Sequence, residues 1–162
     1  MTKKLTFCAM MSVMAILCLL LSNIMQTTTV FLYLFSTLFT YICTEEHGIK
    51  YGALTATVIN LAGFMLVNQK SGIFAYIIIA SYYPVVKHII EHFDTKMYFK
   101  TLLKLLFALI TATVTYFILK SLFTFAFPIF TMYIAGIIIF LIYDKALTAG
   151  IRFYVLKLRK YK

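Results

Sequence analysis

The chain has 162 residues, 63% of them hydrophobic and only 12% charged, with a formal net charge of +10. A soluble domain carries roughly 25% charged residues, so this sequence cannot clothe a water-exposed globule. Its fifteen basic residues sit in short connections and near the chain ends, without aromatics interleaved on a soluble face, which argues against a nucleic-acid partner.

From Leu5 to Thr44 no side chain is charged. A run of about forty apolar and neutral residues exceeds the roughly 20 that one helical crossing needs, so it divides into two spans. The first covers about Leu5 to Ser22. The preceding Met-Thr-Lys-Lys resembles the start of a signal peptide, but the apolar run is too long and no small-residue cleavage site follows Leu21, so it reads as a retained helix. "SNIMQTTT" (Ser22 to Thr29) is the polar break, and span two covers about Thr28 to Cys43. The three cysteines, Cys8, Cys18 and Cys43, lie in apolar stretches without metal or redox spacing and read as small buried hydrophobes.

"TEEHGIK" (Thr44 to Lys50) is a charged loop, Tyr51 to Val67 a third span, and "NQKSG" (Asn68 to Gly72) a turn. Span four runs from Ile73 through Pro84 and a turn or two beyond, and an amphipathic stretch from His88 to Lys104 follows. Span five covers about Leu105 to Leu119 and span six about Ile129 to Tyr143, opened by Pro128, a good first helical residue. The apolar runs are continuous, whereas barrel strands alternate, so the spans are helices. The fold class is therefore all-α: a bundle of six transmembrane helices over residues 1–150, with a basic juxtamembrane tail at 151–162. The tail alternates basic residues (Arg152, Lys157, Arg159, Lys160, Lys162) with apolar ones and suits anionic lipid.

Six spans put both termini on one side. Thirteen of the fifteen Lys and Arg residues then share that side, and only Lys70 and Lys120 fall on the other. This asymmetry places both termini in the cytoplasm of a multi-pass plasma-membrane protein.

"YYPVVKHIIEHF" contains His88, Glu91 and His92 in the order H-x-x-E-H of one class of zinc hydrolase. His88 and His92 share a helix face, and His47 or Glu46 is a geometrically possible third ligand. The preferred reading is a solvated helix end, with Lys87 reaching towards headgroups, no metal and no enzyme. Polar side chains inside apolar spans mark a solute site instead: Asn23, Gln26, Tyr33, Asn60, Asn68, Tyr76 and Tyr116. An amide in hydrocarbon needs a partner, so Asn60 should face inward. With no embedded acid or base among them, a neutral or weakly polar ligand fits. The pocket is expected between spans one, three, four and five, closed by the Ser22 to Thr29 connection, with Asn60 and Tyr76 mattering most.

"GIKYGAL" (Gly48 to Leu54) and "YYPVVKHIIE" (Tyr82 to Glu91), with six spans and an "MTKKLTFCAMM" start, resemble the substrate-binding (S) components of energy-coupling factor (ECF) transporters, and small Firmicutes S-component-like membrane proteins. The resemblance implies a non-catalytic binder of a small solute that associates with a transmembrane coupling subunit and ATPase subunits, and needs no cofactor of its own. It also implies a close-contact face on helix one, where many S components carry Ala-x-x-x-Ala. Here Cys8 and Ser12 hold that spacing, with Ala15 on the same face; small residues so spaced permit either a coupling helix or packing within the bundle. It further gives Tyr82 and Tyr83 an interfacial role and pairs Lys87 with Glu91. The alternative class is a non-transporting membrane scaffold like the MreD-type cell-shape proteins; a membrane metalloenzyme is the third.

Overall fold

The computed structural model describes residues 2–92, 97–122 and 129–158; side chains at 26, 97, 115–122, 129–135, 157 and 158 lie outside the description. Six helices follow one another: α1 (Thr2–Ile24), α2 (Thr29–His47), α3 (Ile49–Leu66), α4 (Lys70–His92), α5 (Met97–Leu122) and α6 (Ile129–Phe153). Among the described residues there is no strand, and three helices, α1, α3 and α4, are long and apolar enough to cross a membrane.

The helices turn small and polar residues inward and large apolar ones outward. On α1 the buried positions are Cys8, Ser12, Ala15, Leu19 and Ser22, spaced three or four apart, while Met10, Val13, Met14, Leu17 and Leu21 are exposed. On α2 the hydroxyls of Ser36, Thr37 and Thr44 are buried, and each donates to a carbonyl of the preceding turn at 2.6–2.7 Å. That local bond lets a hydroxyl enter an apolar core without an orphaned donor.

The α2–α3 turn rests on two glycines of the "GIKYGAL" stretch. Gly48 has φ +91°, a conformation that side chains resist, and its N–H caps α2 on the Thr44 carbonyl at 2.8 Å. A Cβ at Gly52 would run into Thr44, so this glycine lets α3 lie directly against α2. Cys8 and Cys43 form a disulfide between α1 and α2, with Cα atoms 5.6 Å apart, and both residues are buried. The expectation of unpaired cysteines is corrected for these two; Cys18 is free. Sequence spacing could not reveal the pair, because its members are 35 positions apart and meet only through the hairpin.

α4 changes register along its length and bends at Tyr82. Lys70–Ala75 and Tyr83–His92 are α-helical, and Tyr76–Ser81 between them is π-helical. Pro84 has no N–H and leaves the Ala80 carbonyl without its usual partner. The Tyr143 hydroxyl, from α6, lies 3.3 Å from that carbonyl and 2.7 Å from Thr37 Oγ1.

The expected boundaries shift at three places. The expected Thr44 to Lys50 loop shrinks to Gly48, with Thr44 to His47 in α2 and Ile49 and Lys50 in α3. The amphipathic stretch is divided between the end of α4 and the start of α5, which already includes Met97 to Lys104; residues 93–96 lie outside the description. α6 continues past Tyr143 to Phe153 and ends in a π turn, Tyr154–Leu158, so Asp144 and the first tail residues are helical. Of the tail calls, Arg159, Lys160 and Lys162 lie outside the described residues.

Candidate functional site

At one end of the bundle, α1, α2 and the α3–α4 connection enclose a cavity of about 540 Å³ lined by Ser22, Asn23, Tyr33, Asn68 and Gln69. Asn23 builds one wall. Its amide donates to the Leu66 carbonyl at 3.0 Å and its carbonyl accepts the Asn68 N–H at 3.0 Å, so one side chain ties the α1 end to the α3 end. Tyr33 supplies a second wall. Its ring is 6% exposed, and its hydroxyl is buried without a hydrogen bond of good geometry among the described residues; Ser22 is the hydroxyl that interacts with it. Gly72 makes room for it, since a Cβ there would approach the Tyr33 ring and hydroxyl to 3.3 Å. The space is within the roughly 300–1,000 Å³ of small-molecule sites.

Three expected site residues, Asn23, Tyr33 and Asn68, meet in this cavity. Tyr33 comes from α2, which the expected set of enclosing spans omitted. Asn60 and Tyr76 do not line it. Tyr76 is 3% exposed, 2.9 Å from Ser36 Oγ and stacked at a tilt on Tyr33, so it supports the wall from behind. Asn60 is 8% exposed and faces inward, and neither amide atom has a partner among the described residues. The side chains of Gln26 and Tyr116 lie outside the described ones. Cys8, Ser12 and Ala15 are buried in the α1 seam, where they pack within the bundle.

The opposite end gathers the charges. Lys87 is fully buried, and its ammonium donates to Asp144 Oδ1 at 2.5 Å, the Asp144 carbonyl at 2.7 Å and Thr148 Oγ1 at 2.7 Å. An ammonium has three donors, and all three are used. Lys104 reaches Glu91 at 2.8 Å and Asp144 at 3.3 Å. The Tyr83 hydroxyl donates to Asp144 at 2.5 Å and the Tyr41 hydroxyl to Glu91 at 2.9 Å. Lys87 and Glu91 do approach, at 3.8 Å, but Asp144 is the closer partner. The expected headgroup-seeking Lys87 and interfacial Tyr83 are therefore corrected: both point inward. Tyr82 is 40% exposed and keeps the expected outward position.

Beside this network, Glu45 of α2 faces His88 and His92 of α4, with one donor atom from each residue lying within 4.8 Å of the others. The expected third members behave differently. His47 packs edge-on against Phe7 and Tyr51, and the cluster includes Glu45 in place of Glu46. Glu91, the proton-moving residue of an H-x-x-E-H hydrolase, has its carboxylate held by Lys104 and Tyr41.

A second concavity, an apolar groove of about 410 Å³ between α2 and α6, is lined by residues such as Phe35, Leu38, Ile142 and Gly150 and carries no chemistry. No protein-family model, curated protein or solved structure matches this chain.

Proposed function

We propose that this protein is a multi-pass plasma-membrane protein with cytoplasmic termini that binds a small, weakly polar solute from the outside, as the S-component-like subunit of an ECF-type importer. The observation that carries the reading is the polar cavity formed by Ser22, Asn23, Tyr33, Asn68 and Gln69, which includes a buried Tyr33 hydroxyl with room for a new partner. A carbonyl or hydroxyl on the solute satisfies that hydroxyl, and the amides orient the rest. Two further features support the membrane setting. The outward faces of α1 and α3 carry large apolar residues such as Met14, Leu17, Leu61 and Met65. The acidic and basic side chains that pair across helices gather at the end away from the cavity. In this reading a transmembrane coupling subunit meets the exposed face of α1, and ATPase subunits act through that coupling subunit.

The test is thermal stabilisation of the purified protein across a panel of vitamins and related small solutes. A stabilising compound should bind Tyr33→Phe and Asn68→Ala more weakly. One lost hydrogen bond costs roughly 0.5–1.5 kcal/mol, or about 2- to 13-fold in affinity. Normal binding by both variants places the ligand elsewhere. The scaffold reading draws on the apolar groove between α2 and α6, which suits a partner helix or a lipid chain. It takes precedence if no solute stabilises the protein while another membrane protein co-purifies with it in mild detergent.

A further inference from the structure

We propose that Glu45, His88 and His92 form a site for a divalent transition-metal ion at the charged end of the bundle. The argument begins with helix geometry. Residues four apart lie one above the other, and the rings of His88 and His92 are 4.1 Å apart between centroids, tilted by 35°. Neutral imidazole is the ligand form.

The tautomer of His92 follows from its neighbour. His92 Nδ1 lies 3.0 Å from the His88 carbonyl oxygen. A carbonyl only accepts, so Nδ1 carries the hydrogen and Nε2 carries the free lone pair. A backbone carbonyl fixing one imidazole nitrogen while the other stays open is how metal-binding histidines are oriented.

The third donor crosses from α2. Glu45 Oε1 is 3.2 Å from His88 Nδ1, yet that nitrogen makes no hydrogen bond of good geometry. Donor atoms held about 2.0–2.2 Å from one tetrahedral ion lie about 3.3–3.5 Å from each other. The pair lies just short of that range and is poorly aimed as a hydrogen bond. The three donor atoms lie within 4.8 Å of one another, so binding has to draw the exposed His92 ring closer to the Glu45–His88 pair. Two histidines and one carboxylate leave a fourth position for water. They also join α2 to α4, so the ion clamps the two helices that flank the Lys87–Asp144 network. Because Glu91 is held by Lys104 and Tyr41, the site lacks the mobile carboxylate of an H-x-x-E-H hydrolase, and the inference is a binding site without hydrolysis.

The experiment uses tag-free full-length protein in mild detergent, stripped with a chelator and titrated with Zn²⁺ alone against a chromophoric competitor. Cobalt(II) is added in parallel, because its visible absorption reports a four-coordinate site. The expected result is one ion per chain, with the cobalt bands of low coordination number and a rise in melting temperature. Glu45→Gln keeps the shape of the side chain, and His92→Ala alters an exposed position. Each should weaken binding by at least about tenfold, while His47→Gln should bind as the parent does. Substoichiometric zinc in the parent overturns the proposal. Unchanged affinity in both Glu45→Gln and His92→Ala overturns it equally.

Discussion

Replacing Lys87 by Met should destabilise the protein sharply without creating a large void. The methionine stem follows the buried lysine path, but the ammonium and its three hydrogen bonds to Asp144 and Thr148 vanish. Removing one partner of a buried ion pair costs about 3–5 kcal/mol, because the remaining charge is left in a poor solvent. Here Asp144 keeps Lys104 at 3.3 Å and the Tyr83 hydroxyl at 2.5 Å, which places the cost near the lower limit, about 3 kcal/mol. For a chain of 162 residues, each kcal/mol moves the melting temperature by roughly 2–4 °C. The expected fall in Tm is therefore about 6–12 °C, measured by thermal unfolding in mild detergent. The double variant Lys87→Met/Asp144→Leu should recover part of the loss, since the Asp144 carboxylate is then no longer buried without its lysine. A Lys87→Met protein within about 2 °C of the parent, or a double variant less stable than the sum of the two singles, refutes the buried-pair account.

Gly52→Val should cost about 1–3 kcal/mol and lower Tm accordingly, because the new side chain meets Thr44 across the α2–α3 seam; Thr44→Ala in the same chain should restore part of the loss. A cysteine introduced at Lys162 should stay unlabelled by an impermeant thiol reagent in intact cells and react after lysis, as cytoplasmic termini require. A peptide of residues 151–162 should bind vesicles with anionic lipid in preference to neutral ones at low salt, by about 1 kcal/mol for each basic residue near the surface. Equal binding to both vesicle types removes that role from the tail.

The helices were legible in the sequence because their cues are local. Continuous apolar runs mark α1 and α3, Gly48 marks the α2–α3 turn, and the paired polar breaks at Ser22 and Asn68 mark the pocket end. Those breaks also explain why Asn23, Tyr33 and Asn68 meet in one cavity: each sits at or one turn from a connection at the same end. Lys87 was not legible. Its position after Pro84 looks like a helix leaving a bilayer, and its partner Asp144 lies 57 positions away on another helix. Asn60 and Tyr76 show a different limit. A polar residue in an apolar run signals that its tip needs a partner, but it does not say whether that partner is a solute or another helix; for Tyr76 it is Ser36. The choice of Glu45 over Glu46 depends on helical phase at the end of α2, where one residue turns a side chain by about 100°.

The Cys8–Cys43 bond gives the molecule an internal record of its orientation. It lies near the charged end, where Phe7 of α1 packs on His47 of α2. The cytosol keeps thiols reduced, whereas the outer compartment favours disulfides. Cytoplasmic termini, as proposed, put that end in the cytosol, where two buried thiols occupy the same space and pack as small apolar groups. If it is exported during insertion, α1 and α2 become one covalent hairpin before the later helices join them. Counting alkylatable thiols in freshly denatured protein, one for the oxidised chain and three for the reduced one, therefore reads membrane orientation from chemistry alone, with no tag and no engineered residue.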